Sequence, residues 1–150
     1  MRPIIALSGL AVAVLAFRAA PAPSHQQPVW GPAPAVFPAG ARMAVLSGDP
    51  SKSELFTVRL EMPDGYTIAP HFHPTDEHIT VIAGTFLVGM GDAIDQPHMT
   101  TLATGGFVTA GANMHHYAIA RGKTVVQVHA MGPFALTYVN PKDDPQTKTK

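Results

Sequence analysis

The chain has 150 residues, with ten basic and ten acidic side chains and a formal net charge of zero. That length suits one domain, and the charge balance gives no electrostatic footprint for nucleic acid. Cysteine is absent, which excludes disulfides, thiolate metal sites and cysteine nucleophiles together.

The first element is a targeting pattern. Met1-Arg2-Pro3 is a short basic start, residues 4–17 are apolar but for Ser8, and Arg18 is followed by small residues and prolines. This three-part order reads as a secretory signal peptide over residues 1–22. Its apolar run is shorter than the roughly 20 residues a membrane span needs. An uncleaved membrane anchor is the competing reading. Cleavage would remove Arg2 and Arg18, leaving eight basic and ten acidic residues and a net charge of −2. The expected product is periplasmic or secreted, with no membrane association after cleavage. Residues 23–40 are proline-rich, and proline neither donates to a sheet nor continues a helix. They read as an extended arm that Trp30 and Phe37 could pin to the domain.

From residue 41 onward the pattern is short strands and turns. Residues 41–47, 54–62, 66–73, 77–83, 86–91, 98–103, 107–110, 115–120, 124–131 and 134–139 all read as strands. Phe56, Val58 and Leu60 alternate with Thr57, Arg59 and Glu61, the period of a half-buried strand. Pro63-Asp64-Gly65 marks a turn, and Arg121-Gly122-Lys123 reads as a hairpin turn. No convincing helical period appears. Short strands at regular spacing predict an all-β antiparallel sandwich or barrel over residues 41–140. Residues 141–150 form a polar tail expected to fray.

The chemistry concentrates between Gly65 and Gly84. Residues two apart on a strand share a face, so His71 and His73 point the same way. Pro74 interrupts the strand, and Glu77 begins the next. If the bend lays the two strands side by side, His71, His73 and Glu77 can meet inside, with His78 and Asp76 turned outward. Bare burial of such groups is costly, and a divalent metal would compensate it. Two histidines and a carboxylate suit a transition metal with positions left open. A further ligand is expected from "GGFVTAGANMHHYAIA" (105–120), where His115 and His116 face opposite ways and only one can join. Gln127 and His129 share a strand face. They are either exposed polar groups beside an inward face of Val126, Val128 and Ala130, or pocket residues at a cavity mouth. Tyr117 is a pocket or packing phenol.

The spacing resembles the two motifs of the cupin family. The first is a glycine, five residues, His-x-His, three or four residues, a glutamate, six residues and a glycine. Gly65, His71, His73, Glu77 and Gly84 occupy every fixed position. In the second motif only Gly105 and His116 match. Gly111 stands for the proline, Asn113 for the second glycine and Ala120 for the asparagine. Asn113 can stand in because asparagine tolerates a left-handed backbone. The resemblance, over roughly residues 40–140, implies a jelly-roll barrel holding one divalent transition metal (Zn, Mn, Fe, Ni or Cu) through His71, His73, Glu77 and His116. It implies a small-molecule substrate or ligand, and frequent homodimers through the arm or a sheet edge. Cupins include oxygenases, lyases, isomerases and binding proteins, so fold does not fix function. The expected function is an exported metal-dependent enzyme, dioxygenase-like or a lyase, acting on a small organic molecule. The alternative is a non-catalytic module that binds or senses a metal or small ligand.

Overall fold

An alternating strand has one apolar face to bury, and a second sheet laid over it is the usual solution. The computed structural model describes residues 27–147. The expected signal peptide, the first residues of the arm and the last three of the tail lie outside the described residues. Nine strands follow in order: β1 (Gly31–Pro32), β2 (Arg42–Ser47), β3 (Leu55–Met62), β4 (Thr67–Phe72), β5 (Glu77–Met90), β6 (Thr100–Ala103), β7 (Phe107–Ala110), β8 (His116–Met131) and β9 (Thr137–Tyr138). Every pairing is antiparallel.

Two long strands join the layers. The second half of β8 pairs with β3 and with the first half of β5, while its first half pairs with β4 and with the second half of β5. One layer therefore runs β1-β2-β3-β8-β5-β7 and the other β9-β4-β8-β5-β6, with β5 and β8 bending together from one into the other. The core lies between them and includes Phe56, Val58, Leu60, Ile79, Val81, Phe86, Val126 and Val128.

The bend corrects the expected turn at 121–123. The chain does not reverse there, because β8 continues through Gly122. Likewise 77–83 and 86–91 are one strand with register shifts on either side of Ala83. Gly84 makes this possible: its φ is +81°, and a Cβ there would lie 2.4 Å from the Lys123 carbonyl oxygen. Thr124, fully buried, fills the joint, donating to the Thr85 carbonyl at 3.0 Å. The expected strand over 134–139 shrinks to Thr137–Tyr138. Beyond it, residues 141–143 and 145–147 form short 3-10 turns.

Candidate metal centre

The histidines reach the interior through a break in strand phase. On β4, Ile68 faces inward, yet so do His71 and, just past the strand's end, His73, an odd step from Ile68 that simple alternation forbids. The register shifts between Ile68 and His71. Pro70 lies in that interval and has no N–H for the ladder, so a bulge is tolerated there and re-aims the side chains that follow. His116 sits opposite His71 at the start of β8, and Glu77 opens β5 in the facing layer.

The three imidazoles offer ligand atoms that all lie within 4.8 Å of one another. Each Nδ1 contacts a backbone carbonyl: His71 to Ala69 at 2.7 Å, His73 to Ala135 at 2.8 Å and His116 to Met114 at 3.0 Å. A carbonyl can only accept, so each Nδ1 carries a hydrogen and donates it. In the neutral rings, the Nε2 lone pairs are left pointing at a common centre. The Glu77 carboxylate lies 3.4 Å from His73 Nε2 and 3.3 Å from His116 Nε2. Neither of those buried nitrogens has a hydrogen-bond partner among the described residues.

Electrostatics follow from the burial. Desolvation, with repulsion from His116 and His73, pushes His71 down to about 3, so it is neutral at ordinary pH. Burial also opposes charge on His73, but the adjacent Glu77 carboxylate reverses this and the net direction is upward. Burial would raise Glu77, yet His116 and His73 together hold it well below the usual carboxylate range. An ionised carboxylate facing buried nitrogens without hydrogen bonds leaves negative charge and lone pairs directed at one point. A divalent cation satisfies all of them, and three imidazoles can provide its nitrogen ligands.

The surrounding cavity is small, about 40 Å³, with walls that include Val58, Leu60, Ile79, Phe86, Val126 and Val128. At roughly 10–15 Å³ per water, that is room for only a few water molecules. Phe37 and Phe134 also line it. The Phe134 ring stacks on His73 at 4.5 Å, and the next residue, Ala135, accepts the His73 Nδ1–H bond. The sequence marked neither residue as part of the site. A backbone carbonyl leaves no side-chain signature, and a lone phenylalanine reads as packing.

Other candidates fall elsewhere. Gln127 and His129 are not among the residues that line the cavity, in keeping with the reading that turns Val126, Val128 and Ala130 inward. Val126 and Val128 occupy the inward face of β8, so their neighbours point away. There Arg59 Nε donates to Gln127 at 3.0 Å, Gln127 contacts His129 at 3.1 Å, and His129 Nδ1 contacts the Thr57 hydroxyl at 2.9 Å. Tyr117 is buried but on the face of β8 opposite His116, and its hydroxyl accepts the Asp95 N–H at 3.0 Å. Its ring occupies the space a Cβ at Gly89 would need. His115 stacks on Phe72 and contacts Asp92 at 2.6 Å. His78 contacts Thr109 at 3.0 Å on the outer side of β5. Asp76 is exposed and accepts the Ala112 N–H at 2.8 Å, while the Asn113 N–H donates to the His73 carbonyl at 2.7 Å. Asn113 has φ +60°, the left-handed conformation expected of it. The loop before His116 is thus tied to the strand that carries His73.

No protein-family model and no curated protein matches the sequence. Solved structures do. A proposed acetylacetone dioxygenase from Methylibium petroleiphilum superposes with a TM-score of 0.62 at 22% identity, covering 86% of this chain and 89% of that one. The polyketide cyclase RemF from Streptomyces resistomycificus gives 0.57 at 18%, covering 73% and 78%. An RmlC-like cupin from Shewanella frigidimarina gives 0.56 at 16%, covering 71% and 86%.

Proposed function

The chain has the cupin fold in a small single-domain form, and on that premise we propose that it is an exported metal-dependent enzyme acting on a small organic molecule. One observation carries the reading: three buried imidazoles with committed Nδ1–H groups converge with an ionised carboxylate inside an apolar cavity. His71, His73, His116 and Glu77 are the proposed ligands. A divalent metal held there would supply Lewis acidity or redox chemistry. The carboxylate of Glu77 offsets part of the cation's charge, and the three backbone carbonyls fix the imidazole tautomers and orientations. The apolar walls limit water and strengthen each electrostatic contact inside. Reaction types in keeping with this are oxygenase, lyase or isomerase. Export rests on the residue 1–22 pattern of a basic start, an apolar run and small residues.

A second reading is favoured by the cavity itself. About 40 Å³ is far below the roughly 300 Å³ at which drug-sized ligand pockets begin, which suits a module that holds a metal and only a very small ligand. Turnover separates the two. Protein loaded with Fe(II), Mn(II) or Zn(II) is incubated with a panel of small diketones, hydroxy acids and dicarboxylates, following oxygen uptake and product. The enzyme reading expects turnover with at least one pair, abolished in His116→Ala. Full metal loading without turnover on any compound would leave the binding module.

A further inference from the structure

Part of the wall of the small cavity comes from an arm that precedes the barrel. Residues 33–41 fold back as a loop, closed by Ala33 N–H to the Ala41 carbonyl at 3.1 Å and Phe37 N–H to the Pro34 carbonyl at 2.9 Å. Two phenols on the barrel hold this loop. Tyr138 donates to the Val36 carbonyl at 2.8 Å and Tyr66 to the Pro38 carbonyl at 2.6 Å. Those carbonyls flank Phe37, so the residue between them is held in a fixed direction. Phe37 is only 9% exposed, and it lines the same cavity as His71, His73, Glu77 and His116.

We propose that Phe37 is the residue that sets the size limit for molecules reaching the metal centre, acting as a wall mounted on a tethered arm. The inference rests on the reading of that centre as a metal site with open positions. Most of the other walls are side chains of β3, β5 and β8, held by ladder hydrogen bonds on both sides. Phe134 and Leu136 also lie outside the strands, but the Phe134 ring stacks on His73 and Ala135 between them accepts the His73 Nδ1–H bond, so changes in that segment would disturb a proposed ligand. No ring contact joins Phe37 to a histidine among the described residues. Its removal therefore changes space without touching the proposed ligands. An apolar cavity of about 150 Å³ admits benzene, whereas this one, about 40 Å³, does not. Taking away the Phe37 ring vacates a benzene-sized volume in the cavity that the centre shares. The wild-type site accordingly favours short aliphatic oxygen donors over aryl compounds.

Acetate and benzoate test this, since both coordinate through a carboxylate and differ by the ring. Each is titrated into Co(II)-loaded wild type, Phe37→Leu and Phe37→Ala, following the visible cobalt spectrum, with metal content measured for all three. The ratio of benzoate to acetate dissociation constants should fall at least about tenfold in Phe37→Ala, within the range a pocket contact commands, and by less in Phe37→Leu. Acetate affinity should stay within about twofold. An unchanged ratio in both metal-loaded variants overturns the assignment of Phe37 while leaving the metal centre intact. If cobalt binds wild type but neither carboxylate perturbs its spectrum, the open positions are absent, and the proposed function falls with this inference.

Discussion

Each proposed ligand histidine is defined by what its other nitrogen does. The Nδ1–H bonds to Ala69, Ala135 and Met114 leave only Nε2 for a metal, whereas His115 spends its Nδ1 on the exposed Asp92 and its ring face on Phe72. Adjacent in sequence, the two histidines thus have different fates. His116→Ala should lower metal affinity by about 100-fold or more, because even supporting residues are worth about 10–100-fold, while His115→Ala should change it by less than about twofold. Competition with a chromogenic chelator measures both, and equal losses would place the wrong histidine in the site. At this scale the convergence of His71, His73 and Glu77 was legible because strand alternation and the glycine-framed spacing agree, whereas the choice of His116 over its neighbour came only from the resemblance. Ala135 and Phe134 were not, because what they contribute is a carbonyl and a stacking face brought near by tertiary packing alone.

Among the elements, phase matters more than length. The phase changes in β4 near Pro70 and in β5 near Gly84 aim residues at the centre or carry the strand into the second layer. The sequence shows the glycines but not that the strand survives them, so 77–83 and 86–91 read as two strands rather than one. The same holds at Gly122, where a glycine between apolar runs is equally compatible with a hairpin or a bend; pairing with β5 through the joint decides for the bend. Gly84→Ala should be costly. It forces an L residue to φ +81° and brings Cβ to 2.4 Å from the Lys123 carbonyl oxygen, so a loss of about 3 kcal/mol or more is expected. Gly65→Ala, also at positive φ (+71°) but with nothing within 4 Å, should cost only about 1 kcal/mol. Urea unfolding of the two variants checks the difference, and equal costs would mean that the joint relaxes freely.

Across the whole molecule, the described part of the arm, residues 27–40, packs as part of the domain. It places Phe37 in the core and is held by Tyr66 and Tyr138. The sequence named Phe37 as a pin, but not that the pin borders the metal cavity, since nothing local says which end of the barrel the arm covers. Both phenols are mostly buried, and desolvation raises them: Tyr66 well above its usual range, and Tyr138 to about 12, with Asp144 and Asp143 adding to the second. A phenol with a raised native pKa keeps its proton longer when folded. Its contribution is complete below about pH 10 and is lost as pH rises from there toward the native value, at up to about 1.4 kcal/mol per pH unit for each tyrosine. Stability measured by denaturant from pH 8 to 11 should therefore fall above pH 10, and Tyr66→Phe with Tyr138→Phe should be less stable at pH 8 but flatter above pH 10. An identical slope in the double variant would remove the phenols as the cause.

The central claim is that His71, His73, His116 and Glu77 hold a divalent metal. Elemental analysis of the purified chain tests it most directly, comparing wild type with His116→Ala after identical exposure to divalent transition metals and exhaustive dialysis. The prediction is about one transition-metal ion per wild-type chain and a small residue of that in the variant. A wild-type chain that retains no more metal than His116→Ala would contradict it.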